Sequence, residues 1–472
     1  MSQSLILSLK RNIFLLERSP DEIDVRSPLV NLTFKQLTPG LLAALKTLAA
    51  DGATEEELSD LVVKIDGEAE LPKLYYYLQK FSDRSLLCHT VVADGSPLAT
   101  IVPISRYYKF DLKKIATNQS YVLSRFAYCR KYKEQMVLES PLSYAQIILQ
   151  DSRSTAIITE LVKPSSCGEI NLKFPNISEN GLQMFFILLL NAQAISEVKE
   201  RGKIQEEENI KLAQWSFHDL LFHARSRLGR HISFYRDNSG ILLENKPPSV
   251  VKEKMSIDTI NLYKPNIEKI NETDYPFSLV LEERKTIRNY ADKPITDKQL
   301  GEFLYRSARV KSIKETEYGE RSSRPYPSAG ADYELEVYVT VNNCENISPG
   351  IYHYCPKEHQ LCKLAEKNSK VEALLQGAGD AVRESWESLQ VLITIAARFQ
   401  RRNWQYEAIA YATTLKHVGI LYQTFYLVAT AMDLAPCALS FGDSDLFAAA
   451  VGTDYYAETS VGEFLLGSKS TN

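Results

Sequence analysis

The chain has no cysteine framework. Its seven cysteines, at 88, 129, 167, 344, 355, 362 and 437, are odd in number and repeat no spacing. That pattern reads as reduced thiols of a cytoplasmic protein, not as the paired bridges of a secreted one. A membrane-length apolar run is also missing, since the stretch 184–190 falls far short of a span. The apolar stretch 406–434 is longer, but Lys416, His417 and Gln423 interrupt it, so it reads as a buried or interfacial helix. The N-terminus shows no charged-then-apolar leader ending in small residues, and secretion is not expected. Positive charge is not in excess. A net charge of −4 argues against the basic domain typical of general nucleic-acid binding. No Ser/His/Asp arrangement and no phosphate-binding glycine loop is evident.

What is present is a chain of 472 residues, too long for one ordinary core, so two or three domains are expected. Tyrosine is frequent at 26, which suits surfaces that hold peptides or flat rings. Near the N-terminus, residues 13–16 form a short apolar run before a turn at Ser19 and Pro20, fitting a strand pair. Thr38 and Pro39 then open a helix. Thr54 with Glu57 is a capping box for a second helix over 55–63. Strands with two short helices in so few residues suggest a small winged-helix unit. A similar pattern returns later: strands over 121–140, helices over 143–150 and 155–162, and a longer helix over 178–194 capped at Ser178. Two diverged copies of one module are therefore expected, over 1–90 and 91–245. Residues 215–235 form a further helix and exit.

Residues 246–273 carry Pro247, Pro248 and Pro265 with no sustained periodicity, and read as a linker or arm. Beyond them, over 274–472, helices and strands alternate, so the C-terminal part is α+β. Residues 298–310 predict an amphipathic helix, 333–341 a strand, 350–354 with 360–364 a hairpin around Pro356, and 389–396 a strand covered on both faces.

Four stretches of this C-terminal part offer ligand chemistry. Residues 283–290 (ERKTIRNY) place three cations and a hydroxyl within a few positions, suited to an anion; taken alone, they also fit a solvated surface turn. Residues 324–331 (RPYPSAGA) form a stiff loop whose Gly330 permits close backbone approach. Residues 439–445 (LSFGDSD) form a glycine turn, and residues 402–406 (RNWQY) open the apolar helix.

In this order the motifs RKTIRNY, RPYPSAGADYELEVYV, SPGIYHYCPKEHQLCKL, RNWQYEAIAY, KHVGILYQTFYLVATAMDL and FGDSDLFAAAVGTD resemble the nitroreductase-like flavoproteins. The resemblance is nearest to the azoline-oxidising, SagB-type branch. It covers about residues 275–467, and FHARSRLGRH looks like the segment that often precedes this domain. With winged-helix modules in front, the whole arrangement resembles the cyanobactin thiazoline oxidases. The resemblance implies an FMN-dependent homodimer that oxidises thiazoline or oxazoline rings in a ribosomally made peptide. The flavin takes a hydride and the protein positions a base, with molecular oxygen as final electron acceptor.

By the same resemblance, Arg284, Thr286 and Arg288 hold the FMN phosphate and ribityl chain, with Lys469 as an added phosphate contact. Pro327, Ser328 and Ala329 approach the flavin from the partner subunit, and Phe441 and Gly442 form the turn near its reactive nitrogen. The N-terminal modules resemble leader-peptide recognition elements, which add the precursor peptide as an extra strand at a sheet edge. Two other readings of these modules are DNA binding, which the acidic chain disfavours, and a buttress that has lost binding.

One departure stands out. Family members commonly show a Lys-Tyr pair before the long helix, whereas here it is Gln405-Tyr406. Gln cannot abstract a proton, so Tyr406 is the remaining candidate base, needing activation by its surroundings or a hydrogen-bond relay. A solvent- or substrate-derived base is the alternative. Two rival functions stay open: a general nitro or quinone reductase with accessory domains, and a non-catalytic flavin-binding scaffold.

His353, Cys355, His359 and Cys362 cluster within ten residues. They lie across a predicted hairpin with alternating sidedness, so an ordinary hairpin is expected and no metal. His417 is expected to be a satisfied core or interface histidine, and His218, His223 and His231 to lie on a solvated or peptide-facing basic face.

Overall fold

A computed structural model describes residues 5–27, 31–199, 202–231, 248–317 and 319–470. The chain folds as two compact units, Met1–Phe234 and Tyr235–Asn472. The expected exit over 232–235 and the first residues of the expected linker lie outside the described residues.

The first unit opens with a three-stranded antiparallel sheet, Phe14–Ser19, Glu22–Arg26 and Asn31–Phe34, with Glu22–Arg26 in the middle. Three helices follow: Pro39–Ala49, Glu55–Asp66 and Leu71–Asp83. Pro39 starts the first one, but the Thr38 side chain does not cap it. The Asp66 carboxylate does so from the second helix, accepting from the backbone N–H groups of Gly40 and Leu41 at 3.0 Å each. Gly40 is needed there, because a Cβ would collide with that carboxylate. Thr54 and Glu57 form the expected capping box.

The pattern recurs with helices Ser152–Glu160, Cys167–Lys173 and Glu179–Asn191, and Ser166 and Glu169 form the matching capping box. In the first copy, strand Ile6–Leu9 pairs with Leu87–Ala93 and bridges to Ala53. In the second, Ser120–Leu123 pairs with Ile195–Glu197 and with Ser165–Ser166. Ile6–Leu9 and Leu87–Ala93 belong to a six-stranded sheet that continues through Ser96–Pro103, Ala145–Leu149, Gln135–Glu139 and Tyr128–Tyr132, so the two sets of helices are not two separate modules each with its own sheet. The expected helix over 143–150 is instead the strand Ala145–Leu149, paired on both sides. Its burial alternates residue by residue, the period-two signature of a strand.

The second unit is built on a seven-stranded antiparallel sheet. Its order is Thr259–Asn261, Gln360–Glu366, Gly350–Cys355, Leu335–Val341, Val391–Arg398, Glu458–Ser468 and Leu434–Ala438. The stretch expected as a linker or arm contributes the first of these strands and the helix Ile267–Thr273. Its Val250 is fully buried, and the Val250 carbonyl accepts from Arg324 and Arg398. Strand Val391–Arg398 is buried along its whole length, as its apolar run predicts.

One sheet face packs Val337, Val339, Tyr352 and Tyr354 against the helices Asp297–Ala308 and Ala410–Ala431. The other packs Tyr338, Ile351, Leu392 and Leu465 against Ser369–Val382 and Ser444–Val451. The long helix starts at Ala410, four residues after Tyr406. A separate short helix, Gln400–Asn403, precedes it, and its Arg402 is buried and tied to Asp332. Cys355 and Cys362 are joined as a disulfide, whereas the sequence reads as reduced thiols throughout. Among the described residues, no helix is long and apolar enough to cross a membrane.

Candidate active site

The long helix Ala410–Ala431 organises the site. His417, Tyr422 and Tyr426 are spaced by five and four residues, so His417 and Tyr426 leave the helix on opposite sides. His417 and Tyr426 each meet one of the stretches singled out in the sequence, and Tyr422 meets Gly462.

At Tyr426 the helix meets the basic stretch. The Thr286 and Tyr426 hydroxyls lie 2.9 Å apart, and the Tyr426 oxygen accepts from the Ala438 backbone N–H at 2.9 Å. With that donor in place, the tyrosine O–H is free to donate to Thr286. The Arg284 guanidinium lies 5.3 Å over the Tyr426 ring, a cation–π distance. The Ile287 backbone N–H donates to the Pro436 carbonyl at 2.9 Å, which fixes this stretch against strand Leu434–Ala438. Tyr290 bridges to Lys469, bringing that lysine to the same place. Lys469 is paired with Asp433 at 2.6 Å, and that bond raises its pKa. Among the described residues, no carboxylate pairs with Arg284 or Arg288. Two guanidinium groups without a carboxylate partner, near a hydroxyl in sequence, have the chemistry to hold an anion.

At His417 the helix meets the loop 324–331. The Ala329 backbone N–H donates to His417 Nε2 at 2.9 Å, and His417 Nδ1 lies 2.7 Å from Glu334 Oε1. Ser328 Oγ accepts from the Tyr333 N–H at 3.1 Å, and Arg402 donates to the Ala329 carbonyl at 2.9 Å. Burial alone would raise the Glu334 pKa, but its hydrogen bond with His417, with Arg402 nearby, brings it below the usual carboxylate value. The Arg402 guanidinium lies 4.5 Å over the Tyr406 ring, which places Tyr406 beside this loop. Tyr406 is half-buried and Gln405 is exposed. Pro327 and Ala329 are exposed, with the loop backbone pinned beneath them.

Between these ends, Tyr422 and Val418 pack against Gly462, where no side chain fits. The next residue, Glu463, faces Gly442: a Cβ on Gly442 would collide with the Glu463 carboxylate. Glu463 points away from the long helix, and with Phe441, Gly442, Leu374, Gly377 and Thr394 it lines a cavity of about 430 Å3 on the other sheet face. Burial raises the Glu463 pKa, opposed by a hydrogen bond from Ser460. Sequence reasoning missed Glu463. Its signal was a lone acid inside the apolar run 461–466.

The second unit is an antiparallel sheet covered by helices on both faces, with the basic stretch 283–290 set against its central helix at Tyr426. Residues 281–467 match the nitroreductase family, whose members generally hold a flavin. Residues 121–232 match the family described as cyanobactin oxidase ThcOx, and residues 1–112 match the ThcOx helix turn helix domain. In chain order, the matches are thus to the ThcOx helix turn helix domain, to cyanobactin oxidase ThcOx and to the nitroreductase family.

Relatives agree with this assignment. MJ1384 of Methanocaldococcus jannaschii, named as a nitroreductase, is 28% identical over 191 residues, 40% of this chain and 88% of that protein. The microcin B17-processing protein McbC of Escherichia coli is 31% identical over 115 residues, 24% of this chain and 42% of McbC. That match spans less than half of McbC. Among solved structures, the E. coli microcin synthetase McbBCD complex with truncated pro-MccB17 gives a TM-score of 0.35 at 18% identity. It covers 50% of this chain and 85% of that one.

Proposed function

We propose that the protein is an FMN-dependent dehydrogenase that converts thiazoline and oxazoline rings of a ribosomally made precursor peptide to thiazoles and oxazoles, in a cyanobactin-like maturation. Molecular oxygen is the final electron acceptor and the working form is a homodimer. The observation that carries this reading is that Arg284 and Arg288 have no carboxylate partner among the described residues and flank in sequence Thr286, whose hydroxyl lies 2.9 Å from that of Tyr426. The domain set and the microcin-processing relative support a peptide substrate.

The residues fit the cofactor. Arg284 and Arg288 have no carboxylate partner among the described residues, and Thr286 adds a hydroxyl, so together with Lys469 they suit the phosphate. Phe441 and Gly442 border a cavity where a flat ring fits, and Pro327, Ser328 and Ala329 would approach that ring from the partner subunit. When bound, the flavin supplies the hydride acceptor. The protein's own task is to hold the ring carbons in place and take a proton. Tyr406 is one acceptor, held by Arg402, with exposed Gln405 beside it for substrate contact. Glu463 is the second, since burial raises its pKa and makes it a stronger base when ionised.

The first unit suits peptide capture. Strand Phe14–Ser19 is an edge of its three-stranded sheet, and its Phe14 is 68% exposed and Leu16 43%. An open edge with exposed apolar side chains accepts an added strand.

The test is incubation of flavin-loaded protein with a heterocyclised precursor peptide, read by mass spectrometry. Loss of two hydrogens per azoline is the expected result, and unchanged peptide mass would sink the reading. Tyr406→Phe and Glu463→Gln identify the proton acceptor by which one abolishes that loss. Fast nicotinamide oxidation with untouched peptide would instead assign a general nitro or quinone reductase.

A further inference from the structure

On the sheet face opposite the long helix, three soft ligands meet. His353 and Cys355 lie two residues apart on strand Gly350–Cys355, and so share a face. Cys362 sits directly across from His353 on the paired strand Gln360–Glu366. The sidedness that was expected to scatter this cluster therefore gathers three of its four members. The fourth, His359, is bound elsewhere, to the Tyr354 hydroxyl at 2.8 Å and the Tyr263 carbonyl at 2.9 Å.

The ligand atoms of His353, Cys355 and Cys362 lie within 4.8 Å of one another, and all three residues are buried. His353 is oriented as a metal ligand would be. Its Nε2 lies 3.2 Å from Glu336 Oε2, and Glu336 is paired with Arg398 at 2.9 Å. With the Nε2 proton held by that carboxylate, Nδ1 turns a lone pair toward Cys355 Sγ, 3.8 Å away. A carboxylate behind a histidine is the usual outer support of a zinc ligand. Across a tetrahedral zinc ion, with bonds near 2.3 Å to sulfur and 2.0 Å to nitrogen, sulfur and nitrogen stand about 3.5 Å apart. Charge also balances, because two thiolates and a neutral imidazole cancel a divalent cation. That is the condition for burying one.

We propose that His353, Cys355 and Cys362 bind a zinc ion when the Cys355–Cys362 disulfide is reduced. Disulfide and zinc are then alternative clasps of the same hairpin. A thiol or phosphine reductant supplies two electrons, and two protons complete the thiols. Zinc binding then displaces a proton from each thiol, and water fills the fourth position. The cluster shares no residue with those assigned to the flavin or to the peptide.

The test uses the full-length protein, reduced anaerobically with a phosphine, loaded with zinc salt, dialysed and measured by plasma mass spectrometry. About one zinc per chain is expected in reduced protein, with none in the oxidised form. Zinc-edge X-ray absorption should show two sulfur neighbours near 2.3 Å. Cys362→Ser and His353→Asn should each lower retained zinc at least tenfold while flavin absorbance stays unchanged. Reduced wild-type protein that dialyses free of zinc overturns the proposal, as does an absorption edge with no sulfur neighbour. Unchanged zinc in Cys362→Ser overturns it too. If either variant fails to fold, the wild-type stoichiometry and edge spectrum decide alone.

Discussion

His417 and Ala329 stand 88 positions apart and share one hydrogen bond, from the Ala329 backbone N–H to His417 Nε2 at 2.9 Å. A backbone N–H only donates, so Nε2 is bare and the ring proton sits on Nδ1, facing Glu334 at 2.7 Å. Both ring nitrogens are occupied. The histidine is thus the satisfied one expected, and it also ties the loop 324–331 to the long helix. His417→Ala strands a backbone donor and a buried carboxylate, costing about 2–4 kcal/mol. A lower Tm together with slower azoline oxidation is the expected outcome. A Tm within a degree of wild type means the strut is dispensable.

Arg284→Ala and Arg288→Ala should each weaken flavin retention, by about tenfold if each removes one charge-assisted contact to phosphate. The ratio of visible to ultraviolet absorbance after dialysis reads this directly. Fold stability should hardly move, because no carboxylate depends on either arginine among the described residues. If both variants purify fully yellow, the phosphate lies elsewhere.

Much of the fold was legible in the sequence where the cause is local. The capping box at Thr54, the hairpin around Pro356 and the buried strand Val391–Arg398 follow from a few neighbouring residues. So do the basic stretch and the two loops, whose residue types declare an affinity for anions or for close backbone approach. What escaped depends on distant pairing. Glu463 gains meaning only when its strand passes Gly442, and His353 joins Cys362 only through the register of the hairpin. The strand Ala145–Leu149 escaped for another reason: flanked by helix-like neighbours, its period-two burial is visible only once both partner strands are placed.

Gly442→Ala tests the turn. The added methyl meets the Glu463 carboxylate, so overpacking should cost about 1–3 kcal/mol and distort the cavity. Glu463→Ala in the same chain removes the obstacle. The double variant should recover most of the lost stability, as coupled neighbours do. Additive losses in a thermal or urea melt mean the two residues do not meet.

Phe14→Ala with Leu16→Asp tests the sheet edge of the first unit. Both side chains are exposed on strand Phe14–Ser19, so their loss should leave folding intact. Affinity for the full precursor should fall about tenfold or more, since apolar anchors supply specificity when a strand is added to an edge. Oxidation of a short azoline peptide lacking the leader should be unchanged. Equal titration curves for wild type and variant would place peptide capture on another surface.

Glu336 sets an acid limit on the second unit. Burial would raise its pKa, but the Arg398 charge, the His353 hydrogen bond and Arg324 together hold it at about 2. A carboxylate depressed in the folded state adds stability that is fully present above its unfolded value of 4.5. That stability is lost as pH falls through the window from 4.5 to about 2. The shift corresponds to something on the order of 3 kcal/mol at neutral pH. Glu336→Gln should therefore be clearly less stable than wild type at pH 7, leaving Arg398 and His353 without their anion. The gap between the two should narrow as pH falls below 4.5. Denaturant melts at several pH values measure that gap. A constant difference across the window would mean that the Glu336 charge is not coupled to folding.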